Sequence, residues 1–202
     1  MVFFFKHLNS EFYSKIMTLN RRKIVITGGP GTGKTSIINK LKQQHYYCFD
    51  EIIRTLTLEA KQVYDASSHI SNPIAFVKDP LDFNTRLLNG RLEQFKQSMA
   101  LNKSLIFFDR GLPDVLAYMD FFNQDYSNEF LSVCHNHKYH HVFLLPPWES
   151  IYISDNERLE SFDESVKIHD LLKQVYKQFN YSITEVPFGT IEERTTFIIN
   201  NL

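Results

Sequence analysis

Lys23-Ile24-Val25-Ile26-Thr27-Gly28-Gly29-Pro30-Gly31-Thr32-Gly33-Lys34-Thr35-Ser36 is the stretch that decides the fold. Residues 23 to 27 form a short apolar run ended by glycines, as expected of a strand buried on both faces. From Ser36 to Gln44 the apolar residues fall at 37, 38 and 41, a helical spacing. Between this strand and helix, Gly28, Gly33, Lys34 and Thr35 satisfy the pattern G-x-x-x-x-G-K-[ST]. Glycines there let successive backbone N–H groups turn inward around a β-phosphate, and the helix N-terminus adds a favourable dipole. Lys34 is then expected to bridge the β- and γ-phosphates, and the Thr35 hydroxyl to bind Mg²⁺. The nucleotide-binding segment is expected to run through Gly28, Gly29, Pro30, Gly31, Thr32, Gly33, Lys34, Thr35 and Ser36, with ATP and Mg²⁺ as its ligands. A glycine-rich turn that merely happens to carry a lysine is the bland alternative, and the flanking strand and helix argue against it.

Outward from this segment the same alternation recurs. Tyr46 to Phe49 reads as a second strand, followed by a helix from about residue 51 to 63 and a loop with two prolines from Tyr64 to Pro80. Leu81, Leu88, Leu92, Phe95 and Met99 recur at helical spacing and predict a long amphipathic helix over 81–100. Leu105 to Phe108 is the clearest strand, ended by Asp109-Arg110-Gly111, and Leu112, Val115, Leu116, Met119 and Phe122 mark the helix after it. His141 to Leu145 is a further strand stopped by Pro146-Pro147. Ser161-x-x-Glu164 and Thr190-x-x-Glu193 are capping boxes opening two more helices, with a last strand over residues 181–186 between them. Strands alternating with helices predict an α/β fold: a P-loop NTPase three-layer sandwich with about five parallel strands and helices on both faces. One domain over residues 21–202 is expected, with a lid segment near 149–163 and an N-terminal extension over 1–20.

Composition narrows the function. Formal charge is −1 with the basic residues spread along 202 residues, which gives no footprint for a general nucleic-acid binder. Eighteen phenylalanines within 43% hydrophobic residues supply a sizeable core. Two cysteines define no disulfide framework, and no run approaches the ~20 apolar residues of a membrane span, so a cytoplasmic protein is expected.

Three further groups carry candidate chemistry. Asp109 ends the most apolar strand, where an outer carboxylate for Mg²⁺ belongs; its other reading is a helix N-cap. Arg110 beside it can reach phosphate or substrate, or pair with a neighbouring acid. Asp50 and Glu51 close the second strand at the end of the sheet where ligands gather, and either can orient or deprotonate an attacking hydroxyl or simply cap the next helix. Asp155 and Arg158 share a helix face in the expected lid, so Arg158 is aimed at a γ-phosphate or forms a surface ion pair. Cys134, His135, His137, His140 and His141 match no closed zinc pattern and read as a surface cluster. Trp148 is expected at the sheet edge.

The assembled pattern resembles a family of small predicted ATPases labelled AAA-family, of kinase-like or nicotinamide-riboside-kinase-like type. The likeness is carried by residues 27–35, by Phe107-Phe108-Asp109-Arg110-Gly111-Leu112-Pro113-Asp114, by Val142 to Trp148 and by Tyr152 to Phe162. The Asp-Arg pair looks like that of nucleoside and nucleotide monophosphate kinases, and the resemblance implies further roles. Glu51 takes the place of the acid near the acceptor hydroxyl, and Phe188-Gly189-Thr190 that of the loop contacting adenine. The implied activity is transfer of the ATP γ-phosphoryl to a small nucleoside-like or other hydroxyl compound, with Lys34, Glu51, Asp109, Arg110 and Arg158 as catalytic candidates. The alternatives are a nucleotide-dependent switch or slow ATPase/GTPase acting through a partner, and a nucleic-acid-associated ATPase, which the near-neutral charge disfavours.

Overall fold

The computed structural model describes residues 21–53, 79–152 and 160–202. The expected helix beyond Ile53, the loop to Pro80, the N-terminal extension, Asp155 and Arg158 lie outside them. Five parallel strands form one sheet in the order β2-β3-β1-β4-β5: β1 is Arg22–Gly28, β2 Tyr47–Phe49, β3 Leu105–Asp109, β4 His141–Leu145 and β5 Ile183–Glu185. The helices are α1 Lys34–Gln43, α2 Pro80–Ala100, α3 Pro113–Phe121, α4 Asn128–Asn136, α5 Phe162–Gln178 and α6 Ile191–Asn200. Among the described residues no helix is long and apolar enough to cross a membrane.

The continuous apolar strands explain the three layers. Successive strand side chains point to opposite faces, so an unbroken apolar run fills a core on each. On one face Ile24, Ile26, Phe107, Phe143 and Leu145 meet Ile37, Ile38 and Leu41 of α1 and Ile198 of α6. On the other, Val25, Phe108, Val142 and Leu144 meet α2 through Leu88 and Phe95, α3 through Val115 and Leu116, and α5 through Ile168 and Leu172. Phenylalanine is spent mainly here: Phe108 stacks on Phe49 and meets Tyr139 edge-on, both at 5.1 Å between ring centroids.

Side-chain caps fix the helix starts. Asp79 caps α2, and both expected capping boxes form, Ser161 with Glu164 on α5 and Thr190 with Glu193 on α6. The cap at Ser161 starts α5 at Phe162, within the range expected for the lid. β5 is shorter than expected, Ile183–Glu185, and Tyr181 ahead of it accepts the Tyr139 N–H on its hydroxyl at 3.0 Å. Helix α4 was not expected. Its buried stripe is only Phe130 and Cys134, one turn apart, too short an apolar pattern to mark a helix by periodicity.

Strand register sets what meets at the carboxyl edge. Ile26 lies opposite Asp109, Gly28 opposite Leu145, and Phe49 opposite Phe108. The phosphate loop, Asp109-Arg110 and Asp50-Glu51 therefore emerge side by side, as required of a ligand site in an open parallel sheet.

Candidate active site

The loop between β1 and α1 has the geometry its sequence requires. Gly33 holds φ 85°, a left-handed turn that a side chain rarely adopts, and it starts α1 with no side-chain cap. No side-chain cap covers the start of α1, as is also true of α3 and α4, whereas α2, α5 and α6 are capped by Asp79, Ser161 and Thr190. A helix start that follows a glycine-rich loop in this way suits an anion. Ser165 of α5 donates to the Pro30 carbonyl at 2.9 Å and Arg194 of α6 to the Thr32 carbonyl at 3.0 Å, so both helices brace the loop.

Lys34 folds its ammonium into the loop, donating to Gly29 O at 2.7 Å with Thr32 Oγ1 at 3.5 Å. Burial pushes its pKa down to about 7; the Arg110 charge adds to that shift while Asp109, Glu51 and Asp114 oppose it. Phosphate placed against Lys34 restores its proton. In the window between the free value near 7 and the higher bound value, the complex therefore holds more protons than the free protein, and affinity falls as pH rises. We expect ATP to bind most tightly below about pH 7 and to weaken by up to ~10-fold per pH unit above it. Calorimetry at pH 8 in buffers of different ionisation heat should register proton uptake that vanishes in Lys34→Arg. Absence of uptake in the wild type would contradict the assignment.

Asp109 is buried at the end of β3, beside β1, and Thr35 is exposed on the first turn of α1. A carboxylate and a hydroxyl are hard oxygen donors of the kind Mg²⁺ selects, so this pair fits that ion. Glu51 and Asp50 part company. Asp50 points to solvent, its side chain 71% exposed, and pairs with Lys42 at 2.5 Å. Glu51 is tucked inward, its side chain 9% exposed between two guanidiniums. Its Oε1 accepts from Arg91 Nη2 at 3.0 Å, and its Oε2 is in ion-pair contact with Arg110 Nε but accepts no hydrogen bond among the described residues.

Arg110 therefore pairs with acids rather than lying free, one of the two roles its position allowed. Its Nη1 donates to the Gly28 carbonyl and to Asp114 Oδ1, both at 3.1 Å, and its Nη2 to the Tyr118 hydroxyl at 3.0 Å. Arg91, Asp114 and Tyr118 were missed in the sequence. Arg91 carried the clearest signal, a cation on the buried stripe of α2 between Leu88 and Phe95. It reaches Glu51 across 40 residues of chain and the Gly111 carbonyl at 3.0 Å.

On the other side of the loop, Phe188 is 56% exposed and lies tilted against Trp148 at 5.1 Å. The Arg194 guanidinium sits 5.9 Å from the Trp148 ring, which ties this aromatic pair to the phosphate loop. Gly189 follows Phe188 in the turn before α6. The cysteine and histidines near 134–141 have separate partners: Cys134 is buried in the core, His140 Nδ1 accepts the Lys23 N–H at 3.0 Å, and His141 Nε2 meets Thr184 Oγ1 at 2.8 Å.

A family model described as an AAA domain matches residues 23–194, from the first residues of β1 to Arg194. The chain belongs to that AAA domain family. No curated protein matches it by sequence. Among solved structures, this AAA domain is similar to deoxyadenosine kinase from M. mycoides with dCMP and a flexible dCDP bound, at 21% identity and TM-score 0.64, over 89% of this chain and 97% of that one. It is similar to thymidylate kinase from Candida albicans at 18% identity and TM-score 0.63, over 90% and 91%. A NadR protein in complex with NR gives TM-score 0.69 at 14% identity over 93% of this chain, which spans about half (53%) of that one. At these identities the likeness is one of fold: the AAA domain here is built as a kinase-like P-loop NTPase.

Proposed function

We propose that this protein is an ATP- and Mg²⁺-dependent phosphotransferase whose acceptor is a small hydroxyl compound of nucleoside type. The observation that carries the reading is Glu51: a buried carboxylate beside the phosphate loop, held by Arg91 through Oε1 and by Arg110 through Oε2. A nucleotide switch or simple ATPase has no need of such a group. A kinase does, because the acceptor hydroxyl must be held in line and give up its proton.

In this reading the acceptor O–H donates to the Glu51 carboxylate, its oxygen attacks the γ-phosphorus, and the bond to the ADP oxygen breaks as the proton passes to the carboxylate. Lys34 and the α1 N-terminus hold the phosphates, and Arg110 faces the charge that builds on them. Thr35 and Asp109 would hold Mg²⁺, which when bound neutralises charge across the β- and γ-oxygens. The base of the nucleotide lies against Phe188-Gly189 and Trp148, where exposed Phe188 beside half-buried Trp148 offers a stacking face. The deoxyadenosine kinase, thymidylate kinase and NadR neighbours support an acceptor of nucleoside or nucleotide size.

A thermal-shift screen of nucleosides, nucleotides and sugars with a non-hydrolysable ATP analogue and Mg²⁺ tests this directly. A true acceptor at 100 times its Kd should add about 2.7 kcal/mol of stability, and the same compound should release ADP with ATP. If no compound both stabilises the protein and accepts phosphate across a broad set, the kinase reading gives way to the switch.

A further inference from the structure

We propose that Asp114 is a positioning residue: at the foot of the phosphate loop it latches Arg110 to the end of β1, and so sets where the guanidinium meets Glu51 and the reacting groups. The proposal rests on the phosphotransferase reading for its kinetic consequence, but not for its geometry.

Arg110 holds φ 73°, a left-handed conformation that a non-glycine residue adopts only when its surroundings enforce it. Its N–H still extends the β1–β3 pairing to Ile26 O at 3.0 Å, so the turn falls at the end of the ladder. Asp114 is the group that enforces it. Wholly buried, its two oxygens take four donors: Oδ1 accepts from Thr27 Oγ1 at 2.5 Å and Arg110 Nη1 at 3.1 Å, and Oδ2 from the Gly111 N–H at 2.9 Å and the Tyr176 hydroxyl at 2.5 Å. Burial alone would raise its pKa, but the charges of Arg91 and Arg110 and the two hydroxyls outweigh burial and hold the carboxyl below its usual value.

A carboxylate with every acceptor direction taken is suited to holding its neighbours, not to moving a proton or binding a ligand. The donors come from three places: Thr27 from β1 immediately before the loop, Arg110 and Gly111 from the end of β3, and Tyr176 from α5. The last needs the glycine, since a Cβ on Gly111 would stand 2.6 Å from the Tyr176 hydroxyl. Asp114 thus joins the strand that carries the phosphate loop to the arginine that carries Glu51. Cooperative networks of this kind lose more than one bond when one member changes.

The test is hydrogen exchange at the Arg110 Nη1–H, which Asp114 Oδ1 accepts at 3.1 Å, by low-temperature NMR, with its signal assigned from its loss in Arg110→Lys. In wild type this N–H should be protected; in Asp114→Asn its exchange should speed by ~10-fold or more. Should Asp114→Asn fail to fold, Thr27→Val removes a single donor and should speed exchange by a smaller factor, ~3-fold. Unchanged protection in the folded variant overturns the proposal whether or not the protein proves to be a kinase. A kinetic cycle adds the functional arm. If Asp114 acts through Arg110, Asp114→Asn lowers kcat in the wild-type background and adds no further loss in Arg110→Ala. Additive losses in a wild type that does transfer phosphate would overturn the proposal. Failure of wild type to transfer phosphate would strike the kinase reading alone and leave the exchange result to decide the latch.

Discussion

Lys34→Ala is expected to weaken ATP binding by ~10²-fold, the scale of a charge-assisted contact worth about 1.5–3 kcal/mol, while leaving the fold at least as stable. The two halves of that expectation have one cause. The ammonium lies in the concavity of the loop, bonded to Gly29 O at 2.7 Å, where burial has pushed its pKa down to about 7. The folded protein therefore holds this proton less well than the unfolded chain does, so the lysine opposes folding in the absence of phosphate. As a group of depressed pKa it binds more protons unfolded than folded between about pH 7 and its ordinary value of 10.5. Wild-type stability should accordingly rise with pH across that window, and the alanine variant should lack that rise. Isothermal titration with ATP and a melting curve at pH 6.5 and 9 measure both. Undiminished ATP affinity in Lys34→Ala would remove the phosphate loop from the proposed site.

What could be read along the chain was what local chemistry encodes. The run from Lys23 to Ser36 carries its own strand, turn and helix signals, and the two capping boxes at Ser161 and Thr190 form where their spacing places them. Asp109 and Arg110 were legible because they end the most apolar strand. The partners of those residues were not. Arg91 lies 40 residues from Glu51, Tyr176 lies 62 from Asp114 and Arg194 lies 162 from Thr32. No periodicity links residues so distant; only the sheet order brings them together. Each nevertheless left a trace. Arg91 and Arg194 are cations set among the core-facing positions of amphipathic helices, and a buried cation implies an acid or a row of carbonyls opposite it. Asp50 and Glu51 show the converse limit. Adjacent acids at a strand end cannot be told apart by composition, because which one turns inward depends on where Arg91 and Arg110 stand.

Glu51→Gln is expected to lower phosphoryl transfer to the true acceptor by ~10²-fold or more, the usual scale for a positioned base, with ATP affinity changed by less than about threefold. The amide keeps the shape of the side chain and an oxygen for Arg91, but it cannot take the hydroxyl proton and leaves Arg110 with Asp114 as its one remaining carboxylate among the described residues. Some loss of stability must follow, because breaking a buried ion pair strands a charge. A structural role predicts that loss too, so stability alone decides nothing. The distinction lies in which kinetic constant moves. A base acts only as the proton leaves, so kcat should fall while the Kd for ATP, set by Lys34 and the α1 N-terminus, holds. A collapsed site would instead raise the Kd for ATP together with KM for the acceptor. Asp50→Asn supplies the control: its carboxylate is 71% exposed and bound to Lys42, so transfer should stay within about twofold of wild type. A nucleotide switch would show no acceptor-dependent step for either substitution to slow. Undiminished kcat in Glu51→Gln would end the role of Glu51 as the base, and a loss in Asp50→Asn instead would move that role to its neighbour.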